Sequence, residues 1–195
     1  PALTIAQQER RIRRKITDTL SGKTAIILGY GAIGKAVERR LEPFDVVIHR
    51  VASRPRDGVD GPEALPDLLP RADVVILLVP ETERTRGLVD RRFLSLLPDG
   101  AIVVNASRGA LVDQDALLEE LHVGRLRAAA DASTPDPLPS DDPLWTMPGF
   151  LYTPHIAGMT RTALPSLYRL IGEQLHRYVD GRPLRNVVEA AAPSV

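Results

Sequence analysis

The chain has no cysteine, no excess of either charge and no long apolar run, and each absence narrows what it does. Without cysteine there are no disulfides and no thiolate metal sites, which fits a reducing compartment; the expected location is the cytoplasm. Basic and acidic residues number 25 each, so the balance calls for neither nucleic acid nor an anionic membrane surface. The expected partner is a small molecule. His49, His122, His155 and His176 are scattered without metal-ligand spacing, and no metal site is expected. The longest apolar run, VVILLV at 74–79, falls far short of the roughly 20 residues that span a bilayer. No signal-peptide pattern opens the chain. Pro1 stands where an initiator methionine would, which leads to the expectation that the chain is a fragment of a longer product.

What is present is a rhythm. After an arginine-rich segment with helical character (about Thr4 to Leu20), short β-branched runs alternate with stretches of helical period. Strands are predicted at 24–28, 45–51, 73–79, 101–105, 126–131 and 150–153, several of them apolar on both faces, as in a parallel sheet covered on both sides. Helices are predicted at about 33–41, 63–69, 90–97, 113–122 and 160–180. Asp113 is placed as an N-cap, Pro165 interrupts the last helix early, and Gly181 ends it. The fold class is α/β, a doubly wound parallel sheet of the Rossmann dinucleotide-binding type with one core. The one long loop, 132–149, is of a length that is often functional.

The segment TAIILGYGAIGKAVERRL sets Gly29, Gly31 and Gly34 between the first strand and its helix. Gly29 allows a tight turn, Gly31 lets a pyrophosphate approach the backbone, and Gly34 lets helix and strand pack closely. The amides of Ala32 and Ile33 open the helix and face the anion. Coenzyme choice is made at the end of the second strand, roughly 20 residues on, where an NAD site carries an acid for the ribose 2′-hydroxyl. Here Ala52 takes that place, and Ser53, Arg54 and Arg56 follow. A hydroxyl and two guanidinium forks suit a 2′-phosphate, so NADP is favoured. Asp57 and Asp60 leave NAD open.

Downstream, VPETERTRGLVDRRFLSLLPDGAIVVNASRGALVDQDALLEEL (79–121), DASTPDPLP, TPHIAG (153–158) and the closing GRPLRNVV appear in order. Over about Ser21 to Val188 this set resembles the D-isomer-specific 2-hydroxyacid dehydrogenases, and the SRPR stretch resembles the NADP-type loop of their glyoxylate and hydroxypyruvate reductases. The resemblance implies a lead-in segment at 1–20, an NAD(P)-binding domain at 21–188 and a tail at 189–195. It implies hydride transfer between the coenzyme and a small 2-oxo or D-2-hydroxy acid. Arg108 matches the arginine that binds the substrate carboxylate, and His155 the general acid, a role suited to a group that titrates near neutral pH. The resemblance also carries over coenzyme contacts. Val79, Pro80 and Thr85 belong to the adenosine side. Ala106, Ser107 and Arg108 belong near the nicotinamide ribose, Asp131 to the carboxamide, and Ala157 and Gly158 lie beside His155.

Two departures qualify these expectations. The family acid that partners the histidine is a glutamate, and this chain has Asp136, a reach shorter by about 1.5 Å. Either carboxylate would favour the imidazolium that donates the proton. The family's second, mostly amino-terminal lobe has no counterpart here, so the fragment alone is expected to bind coenzyme and turn over little. Arg10, Arg11, Arg13, Arg14 and Lys15 are expected to face solvent or that lobe, and Asp141 and Asp142 to be solvated turn residues. A two-fold dimer through the coenzyme domain is carried over as a further implication. The alternative function is a non-catalytic NAD(H)-sensing regulatory or corepressor module of the same fold.

Overall fold

The computed structural model describes Arg10, Ile12 and residues 17–187, which form two compact units, Pro1–Pro154 and His155–Val195. The first holds a parallel sheet of β1 (Thr24–Leu28), β2 (Val47–Val51), β3 (Val74–Leu77), β4 (Ile102–Asn105), β5 (Arg127–Ala130) and β6 (Phe150–Tyr152), in the spatial order β2-β1-β3-β4-β5-β6. The helices between strands are α1 (Ala32–Leu41), α2 (Leu65–Leu68), α3 (Arg91–Ser95) and α4 (Gln114–His122). This is the expected Rossmann-type α/β architecture. The chain runs from β1 outward to β2 and then crosses to β3 on the other side of β1, so a crevice opens between the carboxyl ends of β1 and β3.

Alternation along the strands sorts the core. Ile26 and Leu28 of β1, with Val75, Leu77 and Val103, meet Leu65 and Leu68 of α2, Phe93 and Leu94 of α3, and Leu117 and Leu121 of α4, all buried. Each such side chain contributes about 1.5–3 kcal/mol by leaving water. Ile27 points the other way, towards α1. A Cβ at Gly34 would stand 3.2 Å from its Cγ2, so the close packing expected of Gly34 is real. Asp113 caps α4 as predicted, accepting from the Ala116 N–H.

Two expectations change. Thr17–Leu20 is not helical, and most of the helix predicted before it, with Arg11, Arg13, Arg14 and Lys15, lies outside the described residues, as does the tail at 189–195. The loop at 132–149 carries a 3-10 turn at Pro143–Trp145. In the second unit, Pro165 does not interrupt the last helix, α5 (Ala163–Val179). It sits in the first turn, where its missing N–H would have had no helical partner. Among the described residues no helix is long and apolar enough to cross a membrane.

One buried charge ties α1 to β2. Glu38 is 7% exposed, accepts from Arg50 Nε at 2.6 Å and from the Tyr30 hydroxyl, and is ion-paired with Arg50. Burial alone would raise its carboxyl, but the bonds from Arg50 and Tyr30 outweigh that and hold it below the usual range. A carboxyl depressed in the folded state adds stability above its unfolded pKa of about 4.3 and loses it as pH falls through the folded value. Glu38→Gln should therefore cost about 1–2 kcal/mol at pH 7. In urea unfolding its deficit against the parent should shrink as pH drops below that range, and a pH-independent deficit would contradict the assignment.

Candidate functional site

The crevice is built from backbone. Gly29 leaves β1 at φ +103°, and a Cβ there would lie 2.5 Å from the Leu78 carbonyl carbon, so neither the conformation nor the space admits a side chain. The Gly29 and Tyr30 N–H groups both donate to Val51 O, at 2.8 and 3.0 Å, and pin the turn to the end of β2. Gly31 is different: a Cβ on it meets nothing within 4 Å. Helix α1 starts there with Lys35 N–H bonding Gly31 O, which leaves the Ala32, Ile33 and Gly34 amides outside the helical ladder. No side chain caps this end and no acid stands in the first turn, so its positive pole is uncompensated.

At the end of β2 the chain makes an arginine-bearing loop. Ala52 N–H bonds Asp60 O and Asp60 N–H bonds Arg50 O, which closes 52–60 back onto the strand. Ser53, Arg54 and Arg56 are exposed on it. The Arg56 guanidinium reaches the glycine turn, donating to Tyr30 O at 2.6 Å.

The loops after β3 and β4 are stitched together. Ser107 Oγ donates to Val79 O at 2.6 Å, and Ser107 N–H to the Asn105 side-chain oxygen. Asn105 Nδ2 in turn donates to Arg108 O at 2.8 Å. Asn105 is 4% exposed and braces the whole turn that carries Arg108, a role sequence reasoning missed. Its signal was a lone polar residue closing the apolar run AIVVN. The Arg108 side chain is exposed and donates to Ser107 O. Ala106 is exposed. The Thr85 hydroxyl donates to Pro80 O at 2.7 Å, so it knots its own loop. A Cβ on Gly109 would run into the backbone of Ser133, so the Arg108 turn abuts the 132–149 loop.

Asp131, at the end of β5, lines a recess of about 110 Å³ with Ala106, Ala130, Leu151 and Thr153. Its Oδ1 is buried without a hydrogen-bond partner, an acceptor that calls for a donor. Asp136 is exposed on the following loop. Asp142 corrects an expectation: it is half-buried, caps the 3-10 turn through the Leu144 N–H and accepts from Gln114 Nε2 at 2.9 Å. It anchors the loop to α4, and only Asp141 is exposed as expected. His155, Ala157 and Gly158 open the second unit and are exposed there, His155 at φ +50°.

The doubly wound sheet, the glycine turn at its switch point and the bare helix pole define a dinucleotide-binding domain. Residues 3–157 match the family described as D-isomer specific 2-hydroxyacid dehydrogenase, NAD binding domain, and the chain belongs to that family. It is 35% identical over 176 residues to a D-3-phosphoglycerate dehydrogenase of Methanocaldococcus jannaschii, covering 87% of this chain and 33% of that protein. It is 34% identical over 173 residues to glyoxylate/hydroxypyruvate reductase A of Klebsiella pneumoniae, covering 85% of this chain and 54% of the relative. A D-isomer specific 2-hydroxyacid dehydrogenase of Xanthobacter autotrophicus Py2, solved with NADPH and MES, superposes with a TM-score of 0.82 at 31% identity, over 96% of this chain and 79% of that one. The chain thus spans about a third to a half of the length of these two curated relatives.

The residues present fit NAD(P): Gly31 leaves its approach open, and the Asp131 oxygen awaits a donor. Gly31→Val should accordingly fold with an unchanged melting temperature and lose coenzyme-induced thermal stabilisation. Gly29→Ala should instead lower the melting temperature, because backbone must move. Thermal unfolding with and without NAD(P)H separates the two, and equal destabilisation by both would contradict this division of labour.

Proposed function

We propose that this chain is the coenzyme-binding and proton-managing part of a reductase for small 2-oxo acids of the glyoxylate and hydroxypyruvate class, with NADPH preferred over NADH. The observation that carries the preference is the end of β2, where Ala52 offers a ribose no carboxylate and the exposed Arg54 and Arg56 follow. The NADPH bound to the Xanthobacter autotrophicus relative supports it. The likeness to the Klebsiella pneumoniae reductase supports the substrate class.

On this reading the amides of Ala32 and Ile33, approached over Gly31, hold the pyrophosphate. Ser53, Arg54 and Arg56 hold the 2′-phosphate, and Val79, Pro80 and Thr85 flank the adenosine side. Ala106, Ser107, Asp131, Ala157 and Gly158 serve the nicotinamide end. The reduced coenzyme supplies hydride. Arg108 grips the substrate carboxylate with two parallel N–H bonds and polarises the neighbouring carbonyl. His155 donates a proton to the carbonyl oxygen, and the Asp136 carboxylate is its partner in that step. Turnover also requires a lobe that closes over the site and excludes water.

The test is a panel of glyoxylate, hydroxypyruvate and pyruvate with NADPH and NADH. It is run on this chain and on a chimaera in which the chain replaces the matching segment of the Klebsiella pneumoniae reductase. The chain alone should be stabilised by NADPH and show negligible turnover, while the chimaera reduces glyoxylate-class acids with NADPH ahead of NADH. Robust turnover by the chain alone, or a preference for NADH, overturns the reading.

Within the chimaera, Arg108→Lys should lower kcat/KM about a hundredfold, since a point charge cannot replace a bidentate fork. Asp136→Asn should lower kcat for reduction about tenfold with KM little changed, because the proton donor loses a charged partner. An unchanged kcat would sink the His155–Asp136 pair.

A further inference from the structure

Tyr30, the residue between Gly29 and Gly31, is not required by the glycine pattern, yet it is the most heavily engaged side chain of the turn. Its hydroxyl donates to Glu38, and the bond to that carboxylate raises the phenol above its ordinary value. Arg50 holds the same carboxylate and places its guanidinium carbon 5.8 Å from the Tyr30 ring centroid. The phenol is therefore fixed at its far end, and the ring has one way to lie. Arg56 uses this surface: its guanidinium carbon is also 5.8 Å from the centroid, with Nη2 on Tyr30 O at 2.6 Å and Nη1 on Arg54 O at 3.3 Å. Those two bonds occupy two of the five N–H donors of a guanidinium, and the rest remain for an anion. An aromatic face attracts and orients a guanidinium held above it.

We infer that Tyr30 is a specificity-determining positioning residue, whose ring, anchored by Glu38 and Arg50, holds the Arg56 guanidinium beside the glycine turn so that a 2′-phosphate meets a cation already in place. The inference rests on the NADPH-preferring reading of the β2 end. The Glu38–Arg50 pair is neutral as a unit and supplies orientation, not charge. The cation that reaches the turn is Arg56. A coenzyme without the 2′-phosphate gains nothing from the arrangement, so Tyr30 acts on the ratio of affinities and not on binding as such.

The experiment is calorimetric titration of this 195-residue chain with adenosine 2′,5′-bisphosphate and with 5′-AMP, probes that differ by the 2′-phosphate alone, followed by NADPH and NADH. The parent should bind the bisphosphate more tightly, and Arg56→Gln should remove most of that preference. Tyr30→Leu should lower the preference about two- to fivefold, the size of a solvent-exposed guanidinium–ring contact, while Tyr30→Phe, which keeps the ring but not its bond to Glu38, should lower it by less. A preference unchanged in Tyr30→Leu but lost in Arg56→Gln overturns the inference and leaves the coenzyme reading standing. Equal weakening of both probes in Tyr30→Leu marks a purely structural residue and also overturns it. A parent chain indifferent to the 2′-phosphate overturns the coenzyme reading and the inference together.

Discussion

Where β1 ends, its backbone passes so close to the start of the loop after β3 that Leu78 and Val79 occupy the space a side chain on residue 29 would need. This approach brings the first and third strands together at their carboxyl ends, where the winding direction of the sheet changes. The turn that follows is held by one carbonyl, Val51 O, which accepts two successive amides. From there α1 starts with its first amides unspent, and every loop of the site is arranged relative to that start.

The polar groups around the crevice divide between those the protein uses up and those it leaves for a ligand. Ser107, Asn105 and Thr85 spend their hydrogen bonds on neighbouring loop backbone, which is what gives exposed loops a defined shape. Glu38 is consumed by Arg50 and Tyr30. The amides at the head of α1 and the inner oxygen of Asp131 are the groups left over. They follow β1 and β5 on the carboxyl edge of the sheet, the first suited to an anion and the second to an amide donor.

Much of this was legible because its signals are local. The first four strands are apolar β-branched runs, and all six are found within two residues of the predicted start. The third ends two residues before its predicted end, since Leu78 and Val79 are apolar but leave the strand at the Gly29 approach, which no local pattern records. The glycine turn and the Asp113 cap were read from spacing alone. The missed features join residues far apart in sequence. Ser107 finds Val79, and Gln114 finds Asp142, each across 28 residues, so Asp142 read as a wet turn acid although it anchors a loop. No local pattern marks Glu38, because its partner lies on the neighbouring strand. His155 and Asp136 belong to different compact units, and the pair proposed for them is read from the TPHIAG and PDPLP motifs alone.

The bond from Ser107 to Val79 has a consequence for anyone who would alter this protein. It makes the loop after β3 and the loop after β4 a single mechanical piece, with Arg108 at one end and the Pro80–Thr85 knot at the other. A transplant of either loop into a related scaffold would sever that piece and leave a hydroxyl and a carbonyl without each other. The natural unit of exchange is both loops together, and a lineage that reshaped one for a new substrate would have had to carry the other along.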